Sequence, residues 1–516
     1  NEGMMSDQTK SRRRKRAPRG AEAHHRQIDY TELRSPFPIM KAFSDDRIAA
    51  IHTAALNLLE TAGIKVLLPE ARQILKSAGA SVDDESQMVR IGREIVRAAL
   101  ATAPRRVVMK GGRPERDVTL ELGRLVFQPG GGTPHASDRL RGRRPGTGRD
   151  FRELVQLTHH FDALQMVSAL LEPQDIAPSL RHYFMIEAQL TLMDKSPFVY
   201  GRGSPQVRES FEMIRDFRGL SDAAFAAEPW SYTVINTNSP RQIDIPMAQG
   251  LIDFARHGQM VIVTPFTLMG AMAPITVAGA MTLSHAEALA AITLNQLALP
   301  GAPVLYGTFT SNVDMKSGAP AFGTPEHFTA SLVAGQLARH IGLPWRCASG
   351  AAGAAADAQA ANETQFGLWG CLLSGATVVI HAAGWLEGGL TLGYEKLITD
   401  MEVLQMVAEL CTPTSAADAE LALDALAEVQ PGGHFFGCAH TMERYQTQFY
   451  QPLVADWSNY GRWQETGSQN ATERATGIWQ GILAAGKRPG SDPARVAALH
   501  AYITRRSAEG GAPPES

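Results

Sequence analysis

The sequence predicts an α/β protein built on a (β/α)8 barrel, with helical extensions before and after it. Two observations lead to this prediction. Eight short apolar or β-branched runs alternate with eight helix-like runs. Several of the presumed strands also end in small or polar residues, such as GGG at 130–132 and NTN at 236–238. In a barrel these loops share one face, so we expect the functional site there.

The alternation assigns one helix to each strand and favours a barrel over an open doubly wound sheet. The predicted strands are Leu125–Gln128, Gln165–Leu171, Pro197–Gly201, Ser231–Ile235, Met260–Thr264, Pro303–Phe309, Trp345–Ala348 and Thr377–His381. The predicted helices are Asp150–Phe161, Leu180–Met193, Pro205–Phe217, Ile243–His257, Val277–Leu299, Pro325–His340, Asp357–Leu373 and Gly393–Leu410.

Composition divides the chain into four predicted regions. Residues 1–28 contain the basic run KSRRRKRAPR, which is typical of a disordered, solvated tail. Residues 29–122 are predicted to form a mostly helical N-terminal extension. Residues 123–412 would form the barrel, and residues 413–516 a C-terminal extension.

Bulk properties exclude several classes of protein. The 516 residues carry a formal net charge of -3, which argues against a nucleic-acid surface. The four cysteines lack CxxC spacing, so we expect a reducing, cytoplasmic location without disulfides. The uncharged stretch 258–284 is long enough to span a bilayer, but Pro265 and Pro274 interrupt it. We therefore predict no membrane association and a buried strand, loop and helix start in this stretch.

The end of the eighth predicted strand has the strongest pattern of a site. An apolar run stops at His381, and the following small-residue turn contains Trp385 and Glu387 before a helical pattern begins near Tyr394. A strand that ends in a ring-bearing, acidic, glycine-loosened loop is how α/β enzymes build active sites. An ordinary βα turn is the alternative interpretation.

Longer stretches give the chain a family resemblance. They are FQPGGGT at 127–133, PGAPVLYG at 300–307, HAAGWLEGGLTLGYEKLITDMEVLQM at 381–406 and GGHFFGCAHT at 432–441. With them the chain resembles the trimethylamine methyltransferase family of corrinoid-dependent enzymes over roughly residues 45–481. The resemblance implies a TIM barrel and transfer of a methyl group from a methylated amine to a corrinoid protein. Because every residue is a standard one, the chain resembles the branch without pyrrolysine, which includes glycine betaine methyltransferases.

That resemblance implies a quaternary ammonium substrate, since its neutral amine leaving group needs no proton donor. A cation of this kind needs ring faces, and a betaine carboxylate needs donors. We assign His381 and Glu387 as candidate catalytic residues. The candidate substrate-binding residues are Trp385, Phe309, Tyr306, Trp230, Arg202 and Asp357. For each of them, a structural role in the core, in a cap or at the surface is the competing interpretation.

The cofactor is expected on a partner protein. GGHFFG at 432–437 is similar to the cobalt-binding motif of corrinoid carriers, but Gly432 replaces the aspartate that would orient the histidine. His434, Cys438 and His440 have HxxxCxH spacing, yet a quaternary amine offers no thiol or hydroxyl for zinc to activate. We therefore expect a cognate corrinoid protein, no tightly bound metal and a homo-oligomer.

Other functions remain open at this point. The substrate could be a tertiary amine or a sulfonium compound in place of a betaine. The chain could also be a non-catalytic binding protein for quaternary amines. A nicotinamide enzyme is disfavoured because the triple glycine at 130–132 lacks GxGxxG spacing.

Overall fold

A computed structural model of the protein describes residues 30–515. The predicted basic tail, 1–28, lies outside the described residues. Chain contacts divide the described part into two compact units. Residues 30–413 and 452–515 form the larger unit, and Thr414–Gln451 form the smaller one.

The strands are short, and most belong to the larger unit's sheets. In chain order they are β1 Leu33–Arg34, β2 Ile64–Val66, β3 Ser81–Asp83, β4 Met88–Arg90, β5 Arg106–Met109, β6 Val118–Glu121, β7 Arg124–Phe127, β8 His135–Asp138, β9 Gly142–Pro145, β10 Tyr232–Ile235, β11 Gln242–Ile243, β12 Met260–Val263, β13 Phe266–Met269, β14 Val304–Gly307, β15 Phe309–Val313, β16 Pro320–Ala321, β17 Trp345–Ala348, β18 Val378–Ile380, β19 Trp385–Leu386 and β20 Thr391–Gly393.

The helices are, in chain order, α1 Asp45–Thr61, α2 Pro69–Ser77, α3 Arg93–Thr102, α4 Gly148–His160, α5 Arg181–Leu192, α6 Ser204–Arg218, α7 Asp222–Ala227, α8 Ile245–Arg256, α9 Val277–Ala298, α10 Pro325–Ile341, α11 Ala358–Leu373, α12 Tyr394–Leu410, α13 Asp418–Leu421, α14 Leu423–Glu428, α15 Ala439–Arg444, α16 Tyr460–Glu465, α17 Ala471–Ala485 and α18 Pro493–Ala508. The eight predicted helices correspond to α4, α5, α6, α8, α9, α10, α11 and α12 of the structure, with ends within two residues of the prediction.

A parallel sheet forms the centre of the larger unit. Its strand order is β1-β7-β18-β17-β14-β12-β10, and every pair from β7 to β10 is parallel. Only β1 is antiparallel, at the edge next to β7. Strands such as β12 and β17 are buried along their whole length. Such burial is typical of parallel strands, because helices pack against the sheet. The fold is therefore mixed α/β, with the carboxyl ends of six parallel strands at one edge.

The hydrogen-bonded sheets do not close into a barrel among residues 30–515. Two of the predicted strands, Gln165–Leu171 and Pro197–Gly201 (the bridging segments), make only isolated parallel bridges. Glutamine side chains take part of the strand pairing there. Gln165 Oε1 accepts from the Phe127 N–H at 2.7 Å, and the Gln189 side chain bonds both backbone groups of Phe198. The prediction of regular strands in these segments was therefore wrong.

Helix α9 shows how the uncharged stretch is used. It is long and apolar enough by composition to cross a membrane, yet 78% of its most apolar window is buried inside the protein. The preceding residues form β12, as predicted, and a second strand, β13, where only a loop was predicted. Glu287 of this helix is fully buried and accepts hydrogen bonds from Thr237, Ser239 and the Arg241 N–H. The helix thereby fixes the loop that follows β10.

The flanking regions contain both helices and small sheets. Residues 30–122 hold α1 to α3, an antiparallel set β2-β4-β3 joined by β11, and the hairpin β5-β6. After the parallel sheet, α17 packs on α12, where Trp479 Nε1 donates to Glu395 at 2.9 Å. Considered by itself, the smaller unit contains α13, α14 and α15.

Candidate functional site

Four rings meet at the carboxyl ends of neighbouring parallel strands. His381 directly follows β18, Trp385 begins β19, Phe309 begins β15 just after β14, and Phe322 follows β16. The His381 and Trp385 rings stack at 4.2 Å between centroids with an 18° interplanar angle. Phe309 lies 5.2 Å from His381 and 5.6 Å from Trp385, and Phe322 stacks on Phe309 at 5.1 Å. These four residues are called the ring cluster below.

His381 is held in an unusual backbone conformation. Its φ is +57°, in the left-handed region that few residues other than glycine adopt. Strand-like pairing continues past it, since the Ala382 N–H donates to Gln128 O at 3.1 Å. The turn directs the imidazole against Trp385 and places its Nδ1 where it accepts from the Gly131 N–H at 3.3 Å.

The His381 imidazole is neutral at ordinary pH. Burial, and then the charges of Arg346 and His327, hold its pKa well below the usual range. With Nδ1 accepting from Gly131, the proton is on Nε2, for which residues 30–515 offer no hydrogen-bond partner. A neutral ring with a free N–H can contact a cation without repelling it.

Trp385 is fixed by backbone that approaches its indole closely. A Cβ at Gly350 would lie 2.3 Å from Trp385 Cε3, and Gly350 has a φ of +112°. The indole N–H donates to Gly131 O at 3.3 Å. Glycine is therefore required at position 350 for two reasons, backbone conformation and space. Trp385 itself is only 3% exposed, whereas Phe309 is partly exposed and forms the outer wall of the ring cluster.

Glu387 lies beside the ring cluster but is occupied by other partners. Its carboxylate accepts from Arg143 Nε at 2.9 Å and from the Thr391 hydroxyl at 2.6 Å. Burial alone would raise its pKa, yet the bonds from Thr391 and Arg143 lower the pKa below its usual value. The Glu387 N–H also donates to Gly353 O, so this residue joins the loops that follow β17 and β18.

Tyr306 points away from the ring cluster. It is fully buried on β14, and its hydroxyl hydrogen-bonds His285 Nδ1 at 3.0 Å on α9. His285 in turn bonds His52 of α1 at 2.9 Å. The structure therefore places Tyr306 in the layer between strands and helices.

Trp230 lies at the opposite end of the strands. It precedes β10 and lines a cavity of about 840 Å³ together with Arg218 and Arg495. This cavity contains none of the ring cluster, and it lies at the amino ends of the strands. Since α/β enzymes place their chemistry at the carboxyl ends, the volume of this cavity does not locate the active site.

The remaining two predicted residues have separate partners. Arg202 follows the second bridging segment and pairs with Glu172 at 3.1 Å, near the surface. Asp357 caps α11 by accepting from the N–H groups of Gln359 and Ala360. The structure thus brings together His381, Trp385 and Phe309, with Glu387 adjacent.

Sequence reasoning missed three residues around the ring cluster. Phe322 completes its wall. His327 is buried, donates through Nε2 to Ala348 O at 3.0 Å, and has a pKa lowered to about 4, chiefly by burial. Arg346 is a buried cation in the middle of β17. A charge inside an apolar strand pattern could have indicated Arg346, because strands buried on both faces rarely contain one.

No group of three or more His, Cys, Asp or Glu side chains suited to a metal ion occurs among the residues described. In the smaller unit, Cys438 shares a hydrogen bond with the Thr441 hydroxyl at 3.3 Å, and His434 packs beside Phe436.

The protein is thus an α/β protein whose candidate site has neutral aromatic walls at the carboxyl ends of parallel strands. A family model described as trimethylamine methyltransferase matches residues 8–511. The chain therefore belongs to the trimethylamine methyltransferase family, and it is a methyltransferase. This finding confirms the resemblance carried by the four sequence stretches.

Individual relatives give the same result. The chain is 31% identical to glycine betaine methyltransferase of Desulfitobacterium hafniense Y51, over 92% of this chain and 98% of that protein. It is 32% identical to trimethylamine methyltransferase of D. hafniense DCB-2, over 84% and 88% of the two chains. Identity to the trimethylamine methyltransferase of Methanosarcina barkeri Fusaro is 29% over 84% and 88%.

Among solved structures, monomethylamine methyltransferase of Methanosarcina barkeri aligns with 88% of this chain and 95% of its own. The TM-score is 0.47 and the sequence identity 9%.

Proposed function

We propose that this protein moves a methyl group from a quaternary ammonium compound, glycine betaine or a related betaine, to the reduced cobalt of a corrinoid protein in the cytoplasm. The observation that carries the proposal is the stacked, neutral pair of His381 and Trp385, walled by Phe309. Membership of the methyltransferase family and the 31% identity to a glycine betaine methyltransferase support it.

The ring cluster suits a trimethylammonium group. Indole and phenyl faces attract such a cation, by about 0.5–2 kcal/mol each. The neutral imidazole of His381 adds no opposing charge, and its Nε2–H orients the polar end of the substrate. A dry, aromatic wall also excludes water from the transferring methyl group.

The chemistry asks little of the protein's own acids and bases. The C–N bond breaks with its electron pair on nitrogen, the neutral tertiary amine leaves, and the methyl carbon goes to the nucleophilic acceptor. No proton moves at nitrogen, so no general acid is required there. The task of the ring cluster is to hold one methyl toward the opening near Phe309 and to keep that approach apolar.

The acceptor's cofactor is proposed to arrive on a partner protein. A resident corrinoid needs a histidine oriented by an acid. His434 instead packs beside Phe436, and Gly432 stands where the acid would be. A bound corrinoid supplies the cobalt nucleophile, and this chain supplies the site that presents the methyl group. Two expectations remain predictions: that the protein contains no pyrrolysine, as its standard residues imply, and that it forms a homo-oligomer.

We further propose that the parallel sheet belongs to a closed (β/α)8 barrel. The two bridging segments would supply the strands between β7 and β10. In support, the Val199 N–H donates to Tyr232 O at 2.9 Å, and the Tyr200 hydroxyl donates to Ala169 O. Each segment thus has one neighbour in the sheet and one in the other segment.

The test is methyl transfer to chemically reduced cobalamin, followed by absorbance. The panel contains glycine betaine, proline betaine, carnitine, choline, dimethylsulfonioacetate and trimethylamine. We expect transfer from at least one betaine and little from trimethylamine. Transfer from the sulfonium compound alone, or binding of betaines without any transfer, would contradict the proposal.

A further inference from the structure

Arg346 is a buried cation whose charge has no partner among residues 30–515. The residue is 3% exposed and lies in the middle of β17. Its Nη2 donates to the Thr264 hydroxyl at 3.0 Å, whereas Nε and Nη1 are buried without a hydrogen-bond partner. No carboxylate of residues 30–515 pairs with it. Burial lowers its pKa to about 10, so it stays protonated at neutral pH.

A second unsatisfied group lies in the same interior. Gln128 is fully buried, and its Nε2 donates to the Tyr232 hydroxyl at 2.6 Å and to Val167 O at 3.2 Å. Its Oε1 has no partner. Tyr232 and Arg346 are near enough that each charge affects the pKa of the other. Polar groups left unpaired in a core are rare and destabilising, so they indicate a site where another molecule completes the bonding.

Strand register places this guanidinium below the ring cluster. Arg346 pairs with Gly307 on one side, two residues before Phe309, and with Val378 on the other, three residues before His381. The strands run toward the ring cluster, so Arg346 lies deeper than the rings. Its charge still contributes to the lowered pKa of His381. A small molecule could therefore contact both.

We propose that Arg346 binds the carboxylate of a zwitterionic quaternary amine while the ring cluster binds its trimethylammonium end. This inference rests on the proposed function and narrows its substrate to betaines with a carboxylate a few bonds from nitrogen. Either unpaired donor, Nε or Nη1, can act together with the second N–H of Nη2 to bind two carboxylate oxygens in parallel. The carboxylate then points inward, and the methyl groups point outward toward the acceptor.

The same residue disfavours cations that lack a carboxylate. Tetramethylammonium or choline would lie near a buried guanidinium without a counter-charge, and like charges in a low-dielectric interior repel. Arg346 thus selects by attraction for one group of substrates and by repulsion against another.

The experiment compares glycine betaine with tetramethylammonium for wild type, Arg346→Gln and Arg346→Lys. Affinities come from calorimetry, and kcat and KM from methyl transfer to reduced cobalamin. For Arg346→Gln we expect the Kd and KM of glycine betaine to rise roughly tenfold to a hundredfold, as for a lost charge-assisted hydrogen bond. Binding of tetramethylammonium should hold or improve. Arg346→Lys keeps the positive charge but not the paired donors of the guanidinium. We therefore expect its affinity for glycine betaine to fall less than that of Arg346→Gln.

Arg339→Gln is the matched control. Arg339 is another partly satisfied arginine, whose Nη1 donates to Ser374 O at 2.7 Å while Nη2 is buried without a partner. It lies on α10, and its loss should lower stability without changing the ratio of the two affinities. Thermal melts of all variants separate folding defects from binding defects. Should Arg346→Gln not fold, wild type alone decides: it must bind glycine betaine at least about tenfold tighter than tetramethylammonium.

The two proposals can fail separately. If wild type transfers a methyl group from no quaternary amine, the proposed function is wrong. If wild type does transfer, but Arg346→Gln weakens glycine betaine and tetramethylammonium equally, only the carboxylate assignment is overturned. Equal wild-type affinity for the two ligands would overturn it as well.

Discussion

His381 has a strained backbone conformation and a buried, neutral side chain. The left-handed φ of +57° and the bond from the Gly131 N–H fix its ring, and burial keeps it uncharged. Such strain persists only where the surroundings impose it, and it is often found at functional sites. The imidazole can therefore orient a substrate without reorganising when the substrate binds.

Replacing His381 should reduce turnover more than stability. We expect His381→Asn to lower kcat/KM for methyl transfer by about tenfold or more, because the stacked ring that positions the substrate is lost. Asparagine tolerates positive φ, so the turn should survive. Steady-state kinetics and circular dichroism measure the two effects. Unchanged turnover in a folded variant would remove His381 from the site.

Trp385 should recognise the positive charge of the substrate as well as its shape. We expect Trp385→Leu to weaken a quaternary amine by about 0.5–2 kcal/mol more than its uncharged isostere. Glycine betaine and 3,3-dimethylbutanoate are such a pair, since both carry the carboxylate and differ only in nitrogen versus carbon. Calorimetric titration of both ligands gives the difference. Equal losses for the two would exclude a cation–π role for this ring.

The site residues that could be predicted from the sequence are those at the end of a recognisable strand. His381 and Trp385 follow an apolar run, and Phe309 ends another, so sequence reasoning could place them at one edge. Tyr306 could not be separated from them, because the sequence does not say which face of a strand a ring occupies. Trp230 precedes its strand, so it lies at the opposite, amino end. Arg346 was missed although its charge within an apolar strand is visible in the sequence; that the charge is left without a carboxylate partner depends on contacts between distant parts of the chain.

At the level of elements, a buried ion pair ties α12 to the loop of the site. Lys396 pairs with Asp400 one turn along the helix and donates to the Thr364 hydroxyl of α11 at 2.9 Å. Asp400 Oδ2 accepts from the Gly384 N–H at 2.8 Å, between His381 and Trp385. Two helices are thereby joined to the turn that carries both rings.

Breaking that pair should be costly. We expect Lys396→Met to lower the free energy of unfolding by about 3–5 kcal/mol, because the Asp400 carboxylate remains buried without its cation. Denaturation in urea measures it. The matched control is Lys41→Met, at a Lys–Asp pair of the same spacing whose side chains are 58% and 80% exposed. Its loss should be under about 1 kcal/mol. If both variants lose a similar free energy of unfolding, burial does not increase the contribution of the Lys396–Asp400 pair to stability.

The two segments that were wrongly predicted as regular strands differ from the prediction for a physical reason. Gln165–Leu171 and Pro197–Gly201 have the composition of strands, but their backbone bonds go largely to side chains, such as that of Gln189. Apolar runs bounded by turn residues do not reveal such substitutions. The eight helices were predicted well because their lengths and caps are local properties, as with Thr147 and its capping box on α4.

For the whole molecule, the alternation of strand and helix was the most informative property of the sequence. It placed six parallel strands and their helices correctly, and with them the edge at which the rings meet. Closure of the sheet depends on pairing between segments distant in sequence, which local pattern does not encode. The same holds for which buried polar groups are satisfied within the chain.

Whole-molecule stability should fall in mild acid because of buried neutral histidines. His327 is 2% exposed, and burial lowers its pKa from 6.5 to about 4. Above pH 6.5 both folded and unfolded chains hold it neutral, so it contributes nothing there. Between pH 6.5 and 4 the unfolded chain takes up a proton that the folded chain excludes, which favours unfolding.

The size of this effect follows from the two pKa values. His327 should account for about 2 kcal/mol of the stability lost between pH 7 and pH 5. His327→Gln can keep the bonds to Ala348 O and from the Gly323 N–H, yet it cannot be protonated. We expect the variant to lose less stability than wild type over that interval in urea denaturation. The exposed His257→Gln is the control and should behave as wild type. A His327→Gln variant with the wild-type pH dependence would contradict the prediction, because it would mean that the folded chain does not exclude the proton from His327.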